Sequence, residues 1–387
     1  MKIALAGSTR NTQKLAQALS DNQQTEIIWI LTPAPKLKGR KKNLTPNPLH
    51  QWAKKHQVPT ILIKQTQLNE VKDQLIAQET PDILLVADFG YYLPQWLLDL
   101  PSMAPVNVHP SKLPQWRGSS PGQFVILSGA KTSAVSFIIM NKRLDQGPII
   151  DQFEFTVGNN WTSTDYYEVA FELASQKMGQ VIDLIQKLFT TKRANFKNPL
   201  LRRSVSLEQS HQNRMKLSKL AKGRKSDIWM RSTNESVGLQ SLKPDRELAT
   251  QTDVGQIKLT PQPLSSPTPL ARKLTRDDGF VDWVDIKALM QDAHYQTDKL
   301  PYLFVSLIEY FPEKTALATY VEKASRALYP WPTLWTLIPT KKGGKRMKLL
   351  QVEIKNQKLK LIKVQIEGQQ PALFNQVKNI IITSRPV

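Results

Sequence analysis

Asn107 and His109 stand two residues apart in VNVHP, and the period of a strand sends their side chains to one face. Asp145 follows in NKRLDQGPII, which reads as a loop after an apolar run. An amide, an imidazole and a carboxylate gathered at one sheet edge suit addition to a carbonyl. Asn and His can donate to a developing oxyanion. Asp can orient or charge the imidazole and accept a proton. Spacing alone leaves the plainer reading open, that a lone His and Asn cap a turn at a strand end.

Other chemistries are limited by composition. The 387 residues include no cysteine, which excludes disulfides, thiolate nucleophiles and Cys-ligated zinc. The five histidines, His50, His56, His109, His211 and His294, show no metal-site spacing, so no metal is expected.

The elements that must position these groups show as alternating patterns. KIALAG from Lys2, TEIIWILT from Thr25, PDILLVAD from Pro81, APVNVHP from Ala104 and AVSFIIM from Ala134 read as strands. TQKLAQALS from Thr12 and the stretch from Thr164 to about Leu188 read as helices. Strands alternating with helices predict an α/β domain with a mostly parallel sheet, whose ligands bind beyond the carboxyl ends of the strands. Apolar periodicity fades from about 190 to 255, as in a linker or insertion. It returns after Leu270, and KLKLIKVQIEG from Lys358 suits a small β-rich domain. The expected division is 1–189, 190–260 and 261–387.

The net charge is +21, and it is concentrated. Residues 1–155 carry 17 Lys+Arg against 11 Asp+Glu, whereas residues 187–231 carry 13 against 2 and residues 341–387 carry 11 against 2. Local concentration favours a nucleic-acid surface, although a basic solvated linker has the same composition. MKIALAG runs straight into a strand with no long apolar stretch, so a cytoplasmic protein away from membranes is expected.

NVHPSKLPQWRGSSP together with RLDQGPII resembles the formyltransferase family that uses 10-formyltetrahydrofolate. Its hallmark is Asn-x-His followed by Ser-x-Leu-Pro, with Leu-Asp-x-Gly downstream. Here these are Asn107, His109, Ser111, Leu113, Pro114, Leu144, Asp145 and Gly147. Further segments resemble the methionyl-tRNA formyltransferases: PAPKLKGRKKNLTPNP from Pro33, ARKLTRDDGFVDW from Ala271, ALYPWPTLWT from Ala327 and VQIEGQQPALF from Val364.

The resemblance implies a Rossmann-like formyltransferase domain followed by a small OB-like β-barrel. It implies direct formyl transfer from 10-formyltetrahydrofolate to initiator methionyl-tRNA by a monomer, with Asn107, His109 and Asp145 catalytic. Ser111, Lys112, Leu113 and Pro114 would border the folate, and Asp88, Phe89 and Gly90 its pterin ring. Lys36, Lys38, Arg40, Lys41 and Lys42 form a short basic arm suited to phosphates. In the family that loop enters the acceptor arm of the tRNA, and Lys345 and Arg346 belong to a second basic surface.

Some positions depart from the family pattern. Gly7-Ser8-Thr9-Arg10 replaces Thr-Pro-(Asp/Glu)-Phe, and Asp88-Phe89-Gly90 replaces Ala-Tyr-Gly. Lys112 and Tyr329 are further departures, and the stretches near 190–255 and 288–315 have no family counterpart. Two other readings stay open: a formyltransferase acting on an amino-sugar nucleotide, and a catalytically impaired RNA-binding relative.

Overall fold

Short apolar runs bounded by Gly and Pro form strands here because each can bury both faces of a parallel sheet. The computed structural model describes residues 1–38, 43–64, 68–196, 259–311 and 316–382. Its contacts separate Met1–Asp183 with Leu259–Val387, as one unit, from Leu184–Lys258.

The first unit opens with β1 (Lys2–Ala6), helix α1 (Arg10–Asp21) and β2 (Glu26–Pro33). A two-stranded ribbon, β3 (Lys36–Lys38) with β4 (Asn43–Thr45), follows. The main sheet continues with β5 (Thr60–Ile63), β6 (Ile83–Val86), β7 (Ala104–His109), β8 (Thr132–Ile139) and β9 (Ile149–Thr156). Its seven strands lie in the order β5-β2-β1-β6-β7-β8-β9. The pairings from β5 to β7 are parallel, and β8 and β9 run antiparallel. This is the mostly parallel sheet that the alternating pattern predicts, in the Rossmann-like form that the resemblance implies.

The sheet grows outward from β1 through β2 to β5, then restarts on the other side of β1 with β6. Such a reversal leaves a crevice beyond the carboxyl ends of the central strands. Gly7 closes the end of β1, where a Cβ would fall 2.5 Å from the Ala87 carbonyl oxygen. Thr9 caps α1 by accepting from the Thr12 amide, and Thr12, Leu15, Ala16 and Leu19 bury one helical stripe.

Helix α2 (Pro121–Ser128) starts on Pro121 and stops at Gly129, whose φ of 73° gives the left-handed C-terminal turn. Helix α3 runs Ser163–Phe196, beyond its expected end near Leu188. The described part of the second unit is the end of this helix; the basic linker expected near 190–255 lies almost wholly outside the described residues.

After Leu259 the chain rejoins the first unit. Four antiparallel strands, β10 (Trp335–Thr340), β11 (Gly343–Lys355), β12 (Lys358–Ile366) and β13 (Ala372–Leu373), form a second sheet in chain order, the small C-terminal β domain foreseen. One apolar cluster joins Phe124, Val125 and Tyr166 to Leu274, Ile286, Tyr320, Met347 and Leu349. Leu303, Phe304, Leu307 and Phe311 are buried in it too, so the stretch after 288 that lacked a family counterpart is core-forming through Phe311. Among the described residues no helix is long and apolar enough to cross a membrane.

Candidate active site

β7 carries Asn107 and His109 to its carboxyl end, next to the crevice. Because β8 is antiparallel to β7, its own end lies beside Val106, the near end of β7. The 141–147 loop must therefore return over the face bearing Asn107 and His109, and it brings Asp145 to both. Asn107 Nδ2 donates to Asp145 Oδ1 at 3.3 Å, and the Gly118 amide donates to Asp145 Oδ2 at 2.8 Å. His109 Nδ1 stands 3.7 Å from Asp145 Oδ2, an ion-pair distance rather than a hydrogen bond. The side chains of His109 and Asp145 are 5% and 9% exposed, so their pairing is little screened by solvent.

The other imidazole nitrogen is also engaged: His109 Nε2 lies 3.1 Å from the Trp116 carbonyl oxygen. A carbonyl oxygen can only accept, so Nε2 carries the N–H of that bond. Trp116, Asp145 and Asp88 hold positive φ angles of 56°, 52° and 47°. For residues with a side chain that conformation costs roughly 1–3 kcal/mol and persists only where surrounding contacts fix it. For Asp145 these contacts lie partly downstream: Gln262 Nε2 donates to its carbonyl oxygen at 3.0 Å and to that of Gly147 at 2.6 Å.

A cavity of about 380 Å³ opens onto the trio. Asp88, Phe89, Gly90, Tyr91, Asn107, His109, Asp145 and Tyr167 are among its lining residues. Asp88 Oδ2 accepts from Thr9 Oγ1 at 2.7 Å and Asn11 Nδ2 at 2.8 Å. Burial pushes the Asp88 carboxyl above the usual carboxylate range; those two hydrogen bonds and the nearby His109 pull it partly back. Burial likewise drives the Tyr167 phenol well up, with the Asp88 charge adding to it. The Arg117 guanidinium is lowered by burial, and Asp145 opposes the shift.

Residues 1–182 match the family model described as formyl transferase. These residues are a formyl transferase domain. The chain is 33% identical to methionyl-tRNA formyltransferase of Anaplasma marginale (strain St. Maries) over 183 residues, 47% of this chain and 60% of the relative. It is 38% identical to methionyl-tRNA formyltransferase of Bacillus pumilus (strain SAFR-032) over 132 residues, 34% of this chain and 41% of the relative. Both matches span less than two thirds of the relative's own length. Among solved structures, a phosphoribosylglycinamide formyltransferase from Anaplasma phagocytophilum aligns with a TM-score of 0.41 at 20% identity, covering 48% of this chain and 86% of that one.

Within the formyl transferase domain the structure gathers Asn107, His109, Asp145, Asp88, Phe89 and Gly90 around one cavity. It does not bring Ser111, Lys112, Leu113 and Pro114 to that lining. Ser111 is fully buried and donates to the Gln115 carbonyl at 2.7 Å, Lys112 pairs with Glu154 at 2.6 Å, and Leu113 clusters with Ile138 and Ile149. These residues turn away because the segment closes over β8, where Ser136 Oγ donates to the Ser111 carbonyl at 2.6 Å.

Lys36 is exposed on β3 and borders a cleft of about 390 Å³ with Ser8, Thr9, Arg10 and Asn47. Lys38 ends the same strand, while Arg40, Lys41 and Lys42 lie outside the described residues. Lys345 and Arg346 sit on β11 opposite Ile338 and Leu337. The Arg346 guanidinium lies 4.6 Å from the Trp335 ring centroid.

Sequence reasoning missed Trp116, Gly118, Tyr167, Thr9, Asn11 and Gln262. Four of these act through backbone groups or through carbonyl partners, which no residue pattern announces. Thr9 and Asn11 had one signal, the departure of Gly7-Ser8-Thr9-Arg10 from the family pattern together with Asp88. The two departures are partners.

Proposed function

We propose that this chain transfers the formyl group of 10-formyltetrahydrofolate to the α-amino group of initiator methionyl-tRNA. The observation that carries the reading is the joining of Asn107, His109 and Asp145 at one cavity of a formyl transferase domain. The similarity of that domain to methionyl-tRNA formyltransferases supports the choice of acceptor, as do the cations of β3 and β11. A small amine substrate has no use for two cationic surfaces outside the cavity.

An α-amino group titrates near about 7.7–8.0, so a useful fraction is neutral at physiological pH. Its nitrogen attacks the formyl carbon, and the carbonyl oxygen becomes an oxyanion. One N–H of the Asn107 amide is held by Asp145 and the second is available to that oxygen. His109 Nδ1–H is the other donor, the ring being fixed through Nε2 on the Trp116 carbonyl. Asp145 orients the imidazole and relays the proton lost by the amine to the folate nitrogen as the carbon–nitrogen bond breaks. No metal is needed for these steps.

The phenyl ring of Phe89 and the backbone through Gly90 would meet the pterin. Residues 1–189 serve as the catalytic domain, 190–260 as a basic linker and 261–387 as a tRNA-binding domain, in a cytoplasmic monomer. The test is incubation with 10-formyltetrahydrofolate and charged initiator tRNA, with an amino-sugar nucleotide as a parallel acceptor. Formyl-methionine should appear on the tRNA. Formylation of the sugar nucleotide alone would overturn the acceptor, and folate binding without any transfer would leave a catalytically impaired relative.

A further inference from the structure

Gln262 follows Asp145 by 117 residues and yet touches the catalytic loop directly. Its Nε2 donates to the carbonyl oxygens of Asp145 and Gly147, and its Oε1 accepts from Arg117 Nη2 at 3.0 Å and Nε at 3.3 Å. Both N–H groups and the carbonyl of one amide are therefore engaged, and the reverse placement would set its oxygen against two other oxygens. Arg117 is 3% exposed, and it completes its bonds on the carbonyls of Pro263 at 2.7 Å and Leu264 at 3.3 Å.

Two loops carry the groups that hold the trio together, and Gln262 grips both. One is Trp116 to Gly118, whose carbonyl receives His109 Nε2 and whose amide reaches Asp145 Oδ2. The other is Asp145 to Gly147, where Asp145 holds a positive φ and Gly147 approaches the Ile139 carbonyl too closely for any Cβ. Neighbouring bonds form a strap in the same direction. Thr260 exchanges two backbone hydrogen bonds with Ile149, Thr268 Oγ1 accepts from the Trp116 amide at 2.7 Å, and Ala271 pairs with Arg117 and Ser120. Among the described residues, Gln262 is the one that reaches the carbonyl of Asp145 itself.

We infer that Gln262 is a positioning residue for formyl transfer: its amide clamps the strained Asp145 backbone to the Arg117 loop and so fixes the carboxylate against His109 and Asn107. The inference rests on the catalytic reading of that trio. Gln262 is not itself among the residues that line the cavity, and it acts through Asp145. Its loss should lower kcat and leave KM for folate and tRNA alone, because displacement of a reacting group by about 1 Å costs on the order of 10²-fold.

Two variants test this. Gln262→Glu keeps the size and the Arg117 partner but sets an acceptor against two carbonyls, and Gln262→Met removes polarity at similar volume. In each, kcat should fall by about 10- to 100-fold with both KM values within about twofold. Hydrogen exchange at the Gly118 amide, which reports its bond to Asp145 Oδ2, should accelerate by about tenfold while the β1 amides keep their protection. Unchanged kcat in either folded variant overturns the proposal. Unchanged Gly118 exchange also overturns it, whether or not the wild type transfers formyl groups. Absence of transfer in the wild type instead defeats the proposed function, and the exchange measurement still decides the role of Gln262.

Discussion

The cavity around Asp145 and the β10–β11 hairpin are both rich in charge, and they are built on opposite principles. In the cavity Asp88, His109 and Asp145 each have named partners at short distance, three non-glycine residues in and around it hold positive φ, and Gly147 has no room for a methyl group. On the hairpin Lys341 and Lys342 are exposed, Lys345 and Arg346 are partly so, and a methyl group added at Gly344 would meet nothing within 4 Å. A site that must hold a geometry is over-determined. A surface that meets a polyanion needs only cations free to adjust.

The contrast is sharpest at Asp145. Asp145→Asn replaces one of the two accepting oxygens by an NH2 donor, which would face either the Asn107 amide or the Gly118 N–H, and turnover should fall by on the order of 10²–10⁴ with the fold intact. Steady-state kinetics beside circular dichroism checks this, and near-normal turnover in a folded variant would defeat the mechanism. The same glycine-to-alanine change in both regions comes next. In Gly147→Ala the new Cβ would lie 1.7 Å from the Ile139 carbonyl oxygen, so a loss of roughly 1–3 kcal/mol is expected. Gly344→Ala should stay within about 0.5 kcal/mol of the wild type. Equal melting shifts would erase the distinction between the regions.

On the hairpin, Lys345→Ala and Arg346→Ala should each flatten the log–log salt dependence of tRNA affinity by about one unit. Arg346→Ala should add a stability loss of about 0.5–1 kcal/mol from the uncovered Trp335 ring. An unaltered salt slope in both would remove the hairpin from the tRNA surface. The smallest effect belongs to Asp88. The folded protein retains this proton above the pH, about 3.9, at which the unfolded carboxyl releases it. The wild type therefore loses stability as pH climbs from about 4 through the raised folded value. Asp88→Asn carries no such proton, so it should melt above the wild type at pH 7, with the difference shrinking toward pH 4. A difference independent of pH would mean that the carboxyl is not held protonated.

Asn107 and His109 were legible because a strand period is fixed, and the sheet was legible because its strands are short apolar runs. Asp145 was legible as a loop residue, but its route was not. Only the antiparallel register of β8 requires the loop to fold back over β7. Ser111 to Pro114 carried the family motif, yet the Ser111 hydroxyl goes to the Gln115 carbonyl, Lys112 to Glu154 and Leu113 to Ile138 and Ile149. The partners on Trp116, Gly118 and Gln262 were hidden for a common reason: backbone carbonyls and amides are present at nearly every residue, so only the fold selects which are used. Helix α3 outran its expected end because Lys192, Arg193 and Ala194, beyond Leu188, favour a helix without needing an apolar stripe.

The strap between Thr260 and Ala271 also sets an order of events during synthesis. A ribosome delivers Asn107, His109 and Asp145 more than a hundred residues before it delivers Gln262. Until then the Asp145 carbonyl has no clamp, and the Trp116 amide lacks the Thr268 hydroxyl that receives it. The nascent chain thus carries Asn107, His109 and Asp145 in an unfinished setting until the strap has emerged. On the proposed function, a polypeptide released before Thr260 would own the whole trio without its clamp and should work at least about 10- to 100-fold more slowly than the full chain.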